Sequence, residues 1–295
     1  MRLLDVVWTV SSLAMAGYVL LAALITLFQR RLVYKPDPRR ASPDDCGLQG
    51  VDAVQIATPD GQTLQAWYAP APAGSPTVLY FHGNAGWIEL RTDRLADLQS
   101  RGFGVLMPFY RGYAGSTGQP SEAANVADAK LVYDWLRLQG VASHDIILFG
   151  ESLGTGVATQ VAAAKVSAGL VLDSPYTSMT DLARRDYPWL PVRYLLWDHY
   201  ETIRHIKRVT VPVLVLHGEA DALVPFDMGL AVHAAVLAPK RLAAFKGAPH
   251  LEHKRQGSFR IVAHWIDSLR ERSGREQVKE KPGMDPGFER LNPYG

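Results

Sequence analysis

The segment Ile147–Gly156, ILFGESLGTG, passes from an apolar run through a serine bracketed by glycines into a series of small residues. A strand draws stability from side chains that pack, and a helix disfavours glycine by roughly 1 kcal/mol relative to alanine. Gly150 and Gly154 therefore weaken both elements beside Ser152, so a backbone geometry at the junction must require them. A sharp strand-to-helix turn does: it needs small residues around the serine so that strand and helix come close, and it lifts the hydroxyl to the carboxyl edge of a sheet. The start of the helix also turns unpaired N–H groups and the positive end of its dipole toward developing negative charge. A five-residue motif recurs by chance in glycine-containing turns, so its surroundings decide the reading.

Outward from this turn, apolar runs alternate with helical patterns. TVLYFHG (77–83), GFGVLMPFY (102–110), DIILFG (145–150), GLVLDSP (169–175), VPVLVLHG (211–218) and RLAAFKG (241–247) read as strands. Helices are expected near 89–101, 121–139, after Ser152, near 227–237 and 258–271. Continuously apolar strands separated by helices describe an α/β fold with a mainly parallel sheet covered on both faces, and ligands of such sheets bind at the strand carboxyl ends. Ahead of them, VDAVQIATPDGQTLQAWYAP holds two alternating segments around Pro59-Asp60-Gly61 and predicts an edge hairpin.

A serine hydroxyl is a weak nucleophile until a base takes its proton, and the base needs a carboxylate to hold its tautomer. LHGEADALVP places Asp221 just past one apolar strand, and FKGAPHLE places His250 just past the next. The chain order Ser152, Asp221, His250 suits a serine on such a turn. Glu219 competes for the acid role but reads better as a solvated turn residue. His253, three residues beyond His250, is expected at the surface. Acyl chemistry also needs donors aimed at the oxyanion, each worth about 3 to 4 kcal/mol. The backbone N–H of Leu153 is one candidate, and the backbone N–H of Asn84 in FHGNAG is the other. YRGYAGSTG (110–118) is glycine-rich but lacks the Gly-Lys-Ser/Thr ending of a phosphate loop.

Composition narrows the function classes. The 295 residues carry 31 basic and 29 acidic side chains, a net charge of +2, with no long basic stripe, which argues against nucleic-acid binding. The single cysteine, Cys46, excludes an internal disulfide and a multi-cysteine metal site. No metal or organic cofactor is implied. Val6–Phe28 holds no charged side chain over 23 residues, about 34 Å of helix against a hydrocarbon core of about 30 Å. A single-pass transmembrane anchor is expected; a cleaved signal peptide and a buried core helix are the alternatives. Arg30, Arg31, Lys35, Arg39 and Arg40 follow it, so the positive-inside rule puts the bulk of the chain in the cytoplasm. The expected organisation is an anchor over 1–28, a linker over 29–50, a catalytic domain over 51–272 with a short cap over 177–210, and a loose tail over 273–295.

GESLG, FHGNAG, YRGYAGSTG, LDSPYTS, HGEADALVP and GAPHLE, in that order behind an apolar helix ending in FQRRLVYKP, resemble the α/β-hydrolase superfamily, and within it a membrane-anchored branch of serine hydrolases. The resemblance implies Ser152 as nucleophile, Asp221 and His250 as its partners, and the Asn84 and Leu153 N–H groups as oxyanion hole. It also implies an ester or thioester substrate such as a lipid or an acylated protein, since members are similar to esterases, acyl-protein thioesterases and lipid hydrolases. EADALVP departs from the usual turn, with Ala222 where relatives carry a rigidifying proline. The cap segment holds Tyr187, Trp189, Tyr194 and Trp197, which either line an acyl pocket or pack the connection onto the sheet. Its shortness leads to the expectation of an open pocket. A catalytically idle anchored scaffold and a serine peptidase are the alternative functions.

Overall fold

The computed structural model describes residues 2–84 and 91–280. Eight strands, β1 (Asp52–Ala57), β2 (Thr63–Ala69), β3 (Thr77–Phe81), β4 (Gly104–Pro108), β5 (Ile146–Glu151), β6 (Gly169–Asp173), β7 (Val213–Gly218) and β8 (Lys240–Phe245), form one sheet in the order β1-β2-β4-β3-β5-β6-β7-β8. β1 and β2 make the hairpin expected around Pro59-Asp60-Gly61, and β2 is antiparallel to β4. All later neighbours are parallel. Every residue of β3, β4, β5, β6 and β7 is buried, which is why these segments read as unbroken apolar runs. The edge strands β1 and β8 are largely exposed.

The flanking helices are α2 (Thr92–Ser100), α3 (Glu122–Leu138), α4 (Leu153–Ala162), α8 (Phe226–Ala235) and α9 (Ser258–Glu280). Ser121 caps α3 by accepting the Ala124 N–H at 3.1 Å, which fixes its start. α9 continues past the boundary expected near 271. The rest of the expected tail, 281–295, lies outside the described residues, as does the expected start of the helix at 89. Between β6 and β7 the cap holds three short helices, α5 (Met179–Asp186), α6 (Val192–Leu195) and α7 (Thr202–His205).

The N-terminal helix α1 (Leu3–Val33) has 31 residues and is long and apolar enough to cross a membrane. Its first two thirds are exposed, whereas its last turns pack on the cap. Gln29 is buried there; its amide donates to Leu195 O at 2.9 Å and its carbonyl accepts the Trp197 N–H at 2.8 Å. Arg30 pairs with the buried Asp198 at 3.0 Å and lies over the Trp197 ring. Tyr34 is also buried, within hydrogen-bond distance of Asp198 and Tyr200. Residues 29–50, which read as a linker, thus send Gln29, Tyr34 and Leu48 into the fold.

Replacing Gln29 by Ala leaves the Leu195 carbonyl and the Trp197 N–H without their partner. The expected outcome is a loss of about 1–3 kcal/mol in unfolding free energy of the detergent-solubilised protein, while Leu27→Ala on the exposed face changes little. Equal denaturation midpoints for the two variants would show that the end of α1 contributes nothing to the fold.

Candidate active site

Ser152 sits where β5 passes into α4, with φ +50° and ψ −115°, a backbone conformation that side chains other than glycine rarely adopt. Both neighbouring glycines are sterically required. A Cβ on Gly150 would lie 2.6 Å from Thr155 Cα, and one on Gly154 would run into the carbonyl oxygen of Phe81 on β3. The glycines that weaken strand and helix therefore allow α4 to lie directly against β5 and β3.

The turn brings the separated residues together. His250, after β8, places Nε2 3.0 Å from Ser152 Oγ and Nδ1 2.6 Å from Asp221 Oδ2. Asp221, after β7, is buried; its Oδ1 accepts the N–H groups of Leu223 at 3.0 Å and Val224 at 2.8 Å. This local turn fixes the carboxylate with alanine at position 222. Burial alone would raise the Asp221 pKa, but hydrogen bonds from His217, His250 and Val224 hold the carboxyl well below its usual range. The Nδ1–H of His250 thus faces an ionised carboxylate, and its Nε2 is left to accept from the serine hydroxyl. Glu219 is exposed at the strand end, as expected of a turn residue.

His253 corrects the expectation of a surface position. It is fully buried, stacks on Phe245 with ring centroids 4.5 Å apart, and places Nε2 2.8 Å from Asp173 Oδ1. Arg94 meets the other Asp173 oxygen at 2.6 Å. One turn of α9's approach thus ties the His250 loop to the end of β6.

Sequence reasoning also missed Glu151, the residue before the serine. It is buried, and its carboxylate accepts from Arg91 at 2.9 Å, from the Gly83 N–H at 3.2 Å and from the Tyr80 hydroxyl. Burial opposes its ionisation, yet the charges of Arg91 and Arg94 outweigh that cost and lower its pKa. Glu151 therefore ties the loop after β3 to the serine turn. A charged residue amid the apolar run ILFGES was the one available signal.

Asn84 follows Gly83 on that loop and lines the same cavity as Ser152 and Leu153. Its side chain accepts the Lys35 N–H at 3.2 Å and the Tyr113 hydroxyl at 2.9 Å, and donates to Val33 O. The end of α1 is thus fastened to the loop beside the serine. The cavity, about 320 Å³, is walled by α1 (Ile25, Leu32, Val33), by the cap (Leu182, Leu190, Leu196) and by the serine turn. Asp186 is the only charged side chain on its described wall. The short cap does not wall the pocket alone; α1 supplies another side, which the sequence reading did not anticipate. Of the cap aromatics, Tyr187 lines the cavity, Trp189 packs on Tyr18, and Tyr194 stays exposed.

Comparison with known proteins agrees with this architecture. A family profile for the alpha/beta hydrolase fold matches residues 76–200. The uncharacterized protein Rv2307c of Mycobacterium tuberculosis is 40% identical over 225 residues, covering 75% of this chain and 80% of its own. Lysophosphatidylserine lipase ABHD12 of Danio rerio is 29% identical over 265 residues, covering 76% of this chain and 68% of its own. The esterase Pf2001 of Pyrococcus furiosus superposes with a TM-score of 0.62 at 20% identity, over 82% of this chain and 98% of its own. The chain belongs to the α/β-hydrolase superfamily, and its fold is that of a hydrolase with esterase and lipase relatives.

His82, on the loop after β3, gives the site's surroundings a pH signature. It is buried, with Nδ1 2.7 Å from Gly83 O and Nε2 3.4 Å from the Tyr110 nitrogen, so Nδ1 carries the proton and Nε2 accepts. Burial, and then the Arg91 charge, push its pKa from 6.5 down to about 3. Between those values the unfolded chain holds a proton that the folded one refuses, so stability falls as pH drops. His205 and His233, also lowered chiefly by burial, add to the slope. Urea midpoints are expected to decrease steadily from about pH 6.5 to 5.5, above the range where ordinary carboxylates titrate. Midpoints that stay level across that interval would contradict a buried neutral His82.

Proposed function

We propose that the protein is a membrane-anchored serine hydrolase that cleaves carboxylic esters or thioesters of acyl chains. The observation that carries this reading is the hydrogen-bonded series Ser152, His250, Asp221, whose serine lies on the wall of an apolar cavity. Ser152 Oγ attacks the acyl carbonyl while His250 Nε2 takes its proton. Asp221 orients the imidazole and stabilises its charged form. The backbone N–H groups of Leu153 and Asn84 receive the negative charge of the tetrahedral oxygen. Collapse of that intermediate expels the alcohol or thiol, which takes the proton from His250. Water, activated by the same imidazole, then hydrolyses the acyl-serine.

A lipid or lipid-like acyl group suits the nearly uncharged wall, and the lysophosphatidylserine lipase among the relatives supports that class. Retention of α1 as an anchor is supported by its packing, since removal of a cleaved leader would strip Ile25 from the cavity and Gln29 of its helix.

Ser152→Ala is expected to lower ester hydrolysis by at least about 10⁴-fold and to abolish labelling by a fluorophosphonate probe, with folding retained; Asp221→Asn should lose about 10⁴-fold. A labelled Ser152→Ala protein would remove the serine from the mechanism, and an unlabelled wild type would favour the idle scaffold.

The basic residues after Phe28 favour a cytoplasmic hydrolase domain. Protease added to intact spheroplasts should leave that domain whole and digest it only after lysis. Digestion before lysis would reverse the orientation.

A further inference from the structure

Tyr18 lies midway along α1, yet it already touches the cap. Its hydroxyl donates to Trp189 O at 3.0 Å, and the two rings meet edge to face with centroids 6.4 Å apart. That contact limits where a bilayer can sit. Asp5 sets the start of an uncharged span at Val6. Only about 12 residues, about 18 Å of helix, separate Asp5 from Tyr18, whereas a hydrocarbon core is about 30 Å thick. Filling that thickness takes about 20 residues, which end at Ile25. Ile25 is the first residue of α1 on the wall of the cavity. A bilayer seated on α1 at this depth includes the level of Trp189.

The cap surface beside α1 has the chemistry for such a position. Tyr187–Val192, YPWLPV, carries no charge. Tyr187 and Trp189 are about half exposed, 47% and 49%, and pair with ring centroids 6.5 Å apart. Arg184, Arg185 and Arg193 flank the segment and are exposed. Aromatic rings settle at the membrane interface, and long basic side chains reach from there toward lipid phosphates. Tyr187 faces the cavity as well as the surface, so the uncharged segment continues into the apolar wall.

We infer that the cap segment Tyr187–Val192 is immersed in the bilayer beside α1, so that the cavity opens into the lipid phase and receives the acyl chain of a bilayer lipid laterally. The inference rests on the membrane-anchored hydrolase reading and deepens it. α1 is then both anchor and pocket wall. An acyl chain passing along Ile25 toward Ser152 need not cross water, which removes the cost of hydrating its methylenes.

Depth-dependent quenching tests this on the full chain. In a Cys46→Ser background, single cysteines are introduced as Leu13→Cys in α1, Trp189→Cys in the cap and Leu138→Cys at the opposite end of the sheet. Each is labelled with an environment-sensitive fluorophore and reconstituted in phosphatidylcholine vesicles containing doxyl lipid. Quenching at 13 and 189 at least threefold stronger than at 138 is the expected result. Quenching at 189 no stronger than at 138, with 13 still quenched, overturns the inference and leaves the anchor standing. A label at 13 that escapes quenching removes the anchor and the inference together. Should Trp189→Cys fail to fold, Leu21→Cys reports the level of the helix just past Tyr18, and an unquenched label there overturns the inference equally. As a second arm, Ile25→Trp should lower the ratio of kcat/KM for a dodecanoyl ester to that for a butanoyl ester at least tenfold; an unmoved ratio overturns the wall assignment. Quenching does not depend on turnover, so a failure of the hydrolase reading is seen separately, in the Ser152 probe.

Discussion

α4 lies hard against the ends of β3 and β5, and the arrangement around Ser152 depends on that close approach. Gly154 rests against the Phe81 carbonyl and Gly150 against the first turn of α4, with no room for a methyl group at either place. Widening the gap would move Ser152 away from the ends of β7 and β8, where Asp221 and His250 are held by their own turns. A hydrogen bond of 3.0 Å between residues 98 positions apart tolerates little displacement. The strained φ of Ser152 is sustained because both sides of the turn are packed.

Buried charge forms a second constraint beneath the first. Glu151 with Arg91, and Asp173 with Arg94 and His253, lie where water does not reach, and each carboxylate serves two loops. Removing one partner would leave an uncompensated buried charge, which typically costs about 3–5 kcal/mol. These clusters lie behind the serine turn and off the cavity wall. They hold the loop bearing Gly83 and Asn84, and the approach to α9, against the sheet.

The features legible in the sequence are those with local causes. Glycines around Ser152 report steric crowding within one turn, and Asp221 and His250 each follow an apolar strand, so their order and positions could be read directly. The sheet was equally open, because its buried strands are apolar on both faces. What escaped depends on pairing across long separations. His253 looks like any polar residue after a strand until Asp173, 80 positions away and itself paired with Arg94, gives it a buried partner. Asn84 stands out in the sequence for its backbone N–H, and nothing nearby in sequence shows its side chain gripping Val33 and Lys35. The cap is too short to wall the pocket by itself, and α1, whose composition is that of an anchor, supplies another side.

Gln29 has a consequence for how α1 is indexed against the rest of the chain. An apolar helix lying on an apolar cap could slide or rotate with small changes in contact energy, since one leucine replaces another. Gln29 meets one backbone acceptor and one backbone donor of the cap simultaneously. Advancing the helix by one residue shifts it about 1.5 Å and turns it about 100°, which separates both pairs at once. The amide thus selects a single azimuth and a single register, and with them which side chains of α1 stand opposite Ser152.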